Sequence, residues 1–176
     1  MPPRTGTEGS RLITIRGNSG SGKSLLAQAI RRARPRGIAI LGHDTLRREI
    51  LNVSDHPGAL SVDFIDLSAR FALDNGLHVV IEGILHSEIY GAMLTRLVRD
   101  HRGVSASFAY ELELDETLRR HSTKERAGEV PEAAVESWYR ATDPIPALQE
   151  IVFDDTFTTE HALDVILRTV SWTASP

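Results

Sequence analysis

The sequence predicts an α/β domain in which a five-stranded, largely parallel sheet is covered by helices on both faces. Five short apolar runs alternate with stretches in which apolar residues recur at helical spacing. Adjacent apolar residues in the first run, Leu12 and Ile13, predict burial on both faces of the sheet. A glycine-rich stretch, residues 17 to 24, lies directly between this run and the first helical pattern. Elements in this order form a three-layer α/β/α sandwich.

Length and composition limit the classes of protein to consider. The chain has 176 residues, of which 41% are hydrophobic and 25% charged, which suits one globular core. The net charge of −4 argues against a dedicated nucleic-acid binder, and the absence of cysteine excludes disulfides and thiolate metal sites. No apolar run has the length of a membrane span and the first residues lack the core of a signal peptide, so we expect a cytoplasmic protein without membrane contact.

The first strand, Leu12–Gly17, runs into a phosphate-binding motif. Residues 17 to 24 read G-N-S-G-S-G-K-S, which matches G-x-x-x-x-G-K-[ST]. The glycines let backbone N–H groups turn towards phosphate oxygens, and the helix that begins at Lys23 directs its positive end at the same anion. Lys23 would reach the β- and γ-phosphates, and the Ser24 hydroxyl would bind Mg²⁺. We expect a nucleotide in contact with Gly17, Asn18, Ser19, Gly20, Ser21, Gly22, Lys23, Ser24 and Leu25.

The second strand, 37–42, is followed by polar residues that suit an acceptor site. Ligands collect at the carboxyl ends of parallel strands, so Asp44 is expected near the glycine-rich loop. Its side chain would cap the next helix, and a capping aspartate can also be the group that accepts a proton. Arg47 and Arg48, just inside that helix, would be either solvated or anchors for a substrate.

Two further segments bear on the extent of the core. Residues 1–10 are polar and without periodicity, so we expect a frayed arm before a single domain of residues 11–176. Apolar residues recur at helical spacing from Ala59 to Asn75 and predict that one face of this helix is buried. The residues on that face are Leu60, Phe64, Leu67 and Phe71.

The third strand, His78–Gly83, ends in an acid. An apolar run that closes with a carboxylate beside the phosphate loop is the usual layout of a residue that helps to hold Mg²⁺, and here that residue is Glu82. Gly83 would let a ligand approach the backbone closely. A helix from about Glu88 to Asp100 follows.

A cluster of cations follows the fourth strand, 104–112. Arg119, Arg120, Lys124 and Arg126 lie within eight residues, and a helix break precedes a further helix that contains Trp138. The cluster is either a solvated helix end or a lid, residues 115–140, that closes its cations over a transferring phosphoryl group. We favour the lid, since a short nucleotide-dependent enzyme must supply such cations. After a fifth strand, 151–153, the loop with Thr156 would hold adenine before the last helix, from about Thr159.

These motifs resemble those of the small P-loop kinases, which include chloramphenicol phosphotransferase, shikimate and gluconate kinases and the zeta-toxin type. The stretches that carry the resemblance are R-G-N-S-G-S-G-K-S, V-V-I-E-G-I-L and E-T-L-R-R-H. The resemblance implies the strand order 2-3-1-4-5, ATP with Mg²⁺, and transfer of the γ-phosphoryl group to a small acceptor. By position, Asp44 matches the base or substrate anchor of the family, and Arg120, Lys124 and Arg126 match its lid. The glycine triplet and the D-x-D of shikimate kinases are missing, which argues against that activity.

We therefore expect an ATP-dependent phosphotransferase that acts on a hydroxyl of an antibiotic, nucleoside or sugar, as a monomer or homodimer. No N-K-x-D guanine reader or L-S-G-G-Q stretch is present, which argues against a GTPase and a transporter ATPase. The alternatives are a nucleotide switch with little turnover and a polynucleotide 5′-hydroxyl kinase, which the net charge disfavours. The acceptor pocket is expected between residues 44–51, 59–75 and 82–86. The expected catalytic residues are Lys23, Asp44, Arg120, Lys124 and Arg126; Arg119 and Thr156 contact the nucleotide; Asp44, Arg47, Arg48, Glu82 and Gly83 contact the acceptor; and Ser24 and Glu82 hold the metal.

Overall fold

The computed structural model describes residues 4–34, 36–122 and 131–172. Five parallel strands form one sheet in the order β2-β3-β1-β4-β5, which confirms the expected order. No helix in these ranges is long and apolar enough to cross a membrane. The strands are β1 (Arg11–Gly17), β2 (Ile38–Gly42), β3 (His78–Gly83), β4 (Val104–Tyr110) and β5 (Ile151–Phe153), and the helices are α1 (Lys23–Ala33), α2 (Leu60–Asp74), α3 (Ser87–Asp100), α4 (Leu114–Ser122), α5 (Glu132–Trp138) and α6 (Thr159–Thr169).

Hydrophobic cores lie on both faces of the sheet, as the adjacent apolar residues of β1 predict. Leu12 belongs to the core beneath α2 and α3, whereas Ile13 and Ile15 belong to the core beneath α1 and α6. Each of these three side chains is completely buried. Successive side chains of a strand point to opposite faces, so a strand between two helical layers needs apolar residues at consecutive positions.

The structure contradicts the predicted buried face of α2. Leu67 and Phe71 are 65% and 70% exposed, and Leu60 is exposed too, while Phe64 is only partly buried. The buried residues of this helix are Ser61, Ile65, Ala69, Ala72 and Leu73, three of which are small. Both sets recur at helical spacing, and the prediction followed the larger side chains, although a helix packed closely on a sheet favours small ones.

The segment expected as a frayed arm is tied to the domain from Thr5 onwards. Thr5 is 2% exposed, pairs with His101 as an isolated bridge, and its hydroxyl donates to Asp74 Oδ1 at 2.8 Å. The Ser10 hydroxyl lies 2.8 Å from His101 Nε2. Burial lowers the pKa of His101 to about 4, with a further contribution from Arg11. The imidazole next to Ser10 is therefore neutral near pH 7.

The carboxyl ends of β1, β2 and β3 meet at one edge of the sheet. In the parallel register, Gly42 of β2 is opposite Glu82 of β3, and Arg16 of β1 is opposite Gly83. The glycine-rich loop leaves β1 at this edge, and a six-residue π-helix, Thr45–Ile50, follows β2. Short π-helical turns are uncommon and are often found at functional sites.

Candidate active site

The glycine-rich loop needs glycine at two positions for different reasons. At Gly17 (φ 145°) a Cβ atom would lie 2.8 Å from Tyr110 Cβ and 2.9 Å from Tyr110 O, so a side chain would displace β4. At Gly22 (φ 101°), the residue before α1, a Cβ atom would meet nothing within 4 Å, and glycine suits the left-handed backbone. The backbone before α1 therefore borders open space, as a loop that receives phosphate requires.

Lys23 lies across the mouth of the loop. Lys23 is only 7% exposed, and its Nζ atom donates to Asn18 O at 2.7 Å and to Ser21 Oγ at 3.1 Å. These contacts hold the ammonium group inside the loop. A phosphate oxygen in the loop would be within reach of the same group, as expected for the lysine of this motif.

Ser24 and Glu82 form a pair of oxygen donors beside Lys23. The Ser24 hydroxyl donates to the Glu82 carboxylate, 3.2 Å from each oxygen. Burial raises the pKa of Glu82, against the lowering effects of Lys23 and of the Ser24 hydrogen bond. No group of three or more ligating side chains occurs among the described residues. One or two protein oxygens are nevertheless what Mg²⁺ requires when phosphates and water supply the remaining ligands, so this pair fits the ion.

Asp44 precedes the π-helix but does not cap it. Its side chain makes no capping hydrogen bond and is 62% exposed. Instead, Oδ1 lies 3.4 Å from Arg47 Nη2 and 3.3 Å from Arg48 Nε. Arg47 is largely buried and also donates to Val53 O at 3.1 Å. The carboxylate is therefore free of the helix terminus and faces the open edge of the sheet between two cations.

A buried polar network beneath Asp44 was missed from the sequence. Tyr90 OH donates to Asp55 Oδ1 at 2.6 Å and lies 2.8 Å from His43 Nε2 and 2.9 Å from Ser61 Oγ. Burial raises the pKa of Tyr90, and the neighbouring Asp55 acts in the same direction. The Tyr90 hydroxyl has a single proton and gives it to Asp55, so His43 Nε2 must donate to the hydroxyl oxygen.

The other ring nitrogen of His43, Nδ1, lies on the side of Asp44. This atom makes no hydrogen bond within the described residues and lies 4.0 Å from Asp44 Oδ1. A Cβ atom at Gly83 would lie 2.4 Å from His43 Cβ. Gly83 therefore makes room for His43, and the contact of Gly83 with an acceptor stays a prediction.

Next to Asp44 is a cavity of about 370 Å³. The expected walls from the π-helix and from Ile84 and His86 are present, and burial lowers the pKa of His86. Helix α2, the third expected wall, does not line the cavity. Its place is taken by the 54–55 turn, the start of α3 and Trp138 of α5, whose ring lies 5.5 Å from the Arg48 guanidinium carbon. We call this space the acceptor cavity.

A second cavity, of about 340 Å³, lies on the other side of the glycine-rich loop and is called the nucleotide cavity. Arg120 lines it, and Nη1 donates to Ser21 O at 3.4 Å. Arg119 is 67% exposed and pairs with Glu116, and Thr156 bonds to Asp154, so neither lines this cavity, whereas Phe157 and Thr159 do. Lys124 and Arg126, also predicted for the lid, lie outside the described residues.

A third, smaller cavity of about 150 Å³ lies between the other two and shares lining residues with each. It shares Gly20, Lys23 and Ser24 with the nucleotide cavity, and it shares Asp44 and Ile84 with the acceptor cavity. We call it the junction. Glu82 and Gly83 also line it, so most residues that the sequence predicted for metal and acceptor binding meet at one place.

Arg16, which no motif indicated, supports this site from below. Its side chain is 3% exposed and donates to Leu85 O, to both oxygens of Glu150, and to the carbonyl and carboxylate of Asp143. Asp143 also accepts hydrogen bonds from the backbone and hydroxyl of Ser87 at the start of α3. The end of β1 is thereby joined to the segments that follow β3 and α5.

Comparison with known proteins agrees with this geometry at the level of the fold. No protein-family model matches the chain, and no curated protein does. Among solved structures, the chain is similar to an APS kinase of Mycobacterium tuberculosis (22% identity, 97% of this chain and 99% of that one, TM-score 0.66). It is also similar to a gluconokinase of Sinorhizobium meliloti (18% identity, 96% and 95%, TM-score 0.66). The chain has the fold of the small P-loop kinases.

A further match is a chain of the Pnkp1/Rnl/Hen1 RNA repair complex, with 18% identity and a TM-score of 0.57. The match covers 80% of this chain but only 44% of that one. The present protein is thus similar to less than half of that larger polypeptide.

Proposed function

We propose that this protein is a kinase that transfers the γ-phosphoryl group of ATP to a hydroxyl group of a small molecule. The observation that carries the proposal is the junction, which shares lining residues with both the nucleotide cavity and the acceptor cavity. A nucleotide held by the glycine-rich loop would place its last phosphate there, and an acceptor would enter from the opposite side. Phosphoryl transfer needs the two reactants in line, and a junction between two cavities supplies that arrangement.

The residues around the junction have the chemistry for this reaction. Lys23 and Arg120 would bind phosphate oxygens and offset the charge that spreads over them during transfer. Mg²⁺ on Ser24 and Glu82 would neutralise further phosphate charge. Asp44 would accept a hydrogen bond from the acceptor hydroxyl and so orient it. The oxygen forms the new bond to phosphorus as the bond to the β-phosphate oxygen breaks; ADP leaves, and the hydroxyl proton passes to Asp44.

The acceptor cavity supports a small molecule as the acceptor. At about 370 Å³ it has the size of a pocket for a sugar, a nucleoside or a compact antibiotic. Its lining combines the Trp138 ring and Ile89 with acids and two arginines, so it offers both an apolar surface and hydrogen-bonding groups. Three acids, Asp44, Asp55 and Glu88, offset the arginines, which favours a small acceptor over a nucleic acid.

The decisive experiment is the detection of phosphorylated product. Purified protein with ATP and Mg²⁺ is incubated with antibiotics, nucleosides, sugars and short oligonucleotides, and products are identified by mass spectrometry. A species heavier by one phosphoryl group is expected with a small molecule. Lys23→Ala should lower its rate at least about a hundredfold. If only oligonucleotides are phosphorylated, the small-molecule assignment is wrong; if ATP binds and no acceptor is modified, a nucleotide switch explains the site better.

Asp44 is tested with a matched pair of variants. Asp44→Asn should lower kcat on the order of a hundredfold while ATP affinity stays near that of the native protein. Asp164→Asn, an equivalent change at an exposed ion pair of α6, is the control and should leave both unchanged. Equal kcat values for the native protein and Asp44→Asn would show that Asp44 does not orient the acceptor hydroxyl.

A further inference from the structure

The side chain of Asn18, in the glycine-rich loop, is paired with protein rather than directed to the nucleotide. Its Nδ2 donates to Arg140 O at 2.7 Å, and its Oδ1 accepts from Arg140 N at 3.0 Å. Asn18 is only 7% exposed. The amide thus pairs with the main chain of Arg140 in the way that neighbouring strands pair, through one donor and one acceptor. The sequence predicted that Asn18 contacts the nucleotide, whereas in the structure its side chain pairs with the main chain of Arg140.

The segment that Asn18 holds leads directly to the acceptor cavity. Arg140 lies two residues after Trp138, which ends α5 and forms one wall of that cavity. Between them, Tyr139 OH donates to Leu112 O at 3.1 Å. On the other side, Asp143 is held by Arg16. The segment is short and is held by hydrogen bonds on both sides of Arg140. A displacement of Arg140 should therefore also displace Trp138.

We propose that Asn18 is a positioning residue that links nucleotide occupancy of the glycine-rich loop to the Trp138 wall of the acceptor cavity. The two hydrogen bonds are partly shielded from water, where polar groups are costly to leave unpaired, so a shift of residue 18 carries the main chain of Arg140 with it. Trp138, and the Arg48 guanidinium on its ring, then move relative to the junction. Nucleotide binding thereby places Trp138 in the position that the acceptor cavity needs for catalysis. This inference rests on the proposed function in one respect, namely that the glycine-rich loop binds a nucleotide.

The two tryptophans of the chain make the link measurable without knowledge of the acceptor. Trp172 is 7% exposed and packs against His78, away from both cavities, so Trp172→Phe leaves Trp138 as the single indole. In that background, Trp138 emission is followed during titration with ATP and Mg²⁺, while calorimetry measures nucleotide affinity separately. The native loop should change the emission on binding. Asn18→Ala should abolish the change at saturation, with Kd altered by less than about threefold.

Two variants of Arg140 test the same link from the other side of the pair. Because the Asn18 side chain pairs with the main chain of Arg140, Arg140→Ala leaves both hydrogen bonds in place and should keep the emission response. Arg140→Pro removes the N–H group that Asn18 accepts from and should lose the response. The preceding Tyr139 has ψ 136°, which is compatible with a following proline. The Arg140→Pro variant also tests the proposal if Asn18→Ala fails to fold.

Each other outcome counts against the proposal. A full emission response at saturation in Asn18→Ala would show that the pair transmits nothing. If that variant also binds nucleotide more than about tenfold more weakly, Asn18 is a nucleotide ligand. A native protein that binds ATP by calorimetry without any change in Trp138 refutes the link but not the kinase. A native protein that does not bind ATP overturns both.

Discussion

Replacement of Arg16 by methionine should lower the free energy of unfolding more than the loss of an exposed ion pair does. Arg16 is 3% exposed, and Glu150, one of its two acidic partners, is 5% exposed. Methionine fills similar space but donates no hydrogen bond, so Glu150 would keep a buried charge without its guanidinium partner. Loss of one partner of a buried pair costs about 3–5 kcal/mol.

The assay is urea or thermal unfolding followed by circular dichroism. For a domain of this size, a loss of that magnitude lowers Tm by roughly 6–20 °C. Arg168→Met on α6 is the matched control, because Arg168 and its partner Asp164 are 79% and 49% exposed and such pairs contribute about 0–1 kcal/mol. The control should unfold within a few degrees of the native protein.

A second variant identifies the cause of the loss. If the unpaired Glu150 charge is responsible, Arg16→Met combined with Glu150→Gln should recover part of the stability, since the remaining amide is neutral. Glu150 also accepts from Ile145 N, so the double variant is not expected to reach the native value. A cost for Arg16→Met below about 1 kcal/mol would show that the network is solvated in solution and would refute the reasoning.

Three further predictions concern other parts of the molecule. Gly83→Ala should displace His43, because the new Cβ would lie 2.4 Å from His43 Cβ, and should lower kcat/KM on the order of a hundredfold; unchanged kinetics would contradict the packing. In α2, Ile65→Ala should lower the free energy of unfolding by about 2–5 kcal/mol and Phe71→Ser by less than about 0.5 kcal/mol, as measured in denaturant. The reverse order would show that the helix face with Phe71 is the buried one, as the sequence predicted. The low pKa of His101, about 4, contributes stability above pH 6.5 that is lost as the pH falls towards 4. The stability gap between native protein and His101→Gln should therefore narrow by up to about 3 kcal/mol over that range, and a constant gap would exclude this role.

The nucleotide side of the site was largely predictable from sequence, whereas the acceptor side was not. Lys23 and Ser24 belong to one contiguous motif with local geometry, and Glu82 follows an apolar run, so a linear pattern identifies all three. Their roles remain predictions. Trp138 is remote in sequence from the other walls of the acceptor cavity, and no periodicity relates it to Asp44. Packing alone brings these residues together.

The sequence by itself determined the alternation of strands and helices, the glycine-rich loop and the acid at the end of β3. These features depend on local periodicity, backbone freedom and the order of residues along the chain. Only the tertiary structure decided which face of α2 is buried, the burial of Arg16 and the pairing of Asn18 with Arg140. In each case, the outcome depends on contacts between residues far apart in the chain, and such contacts follow from close packing rather than from local pattern.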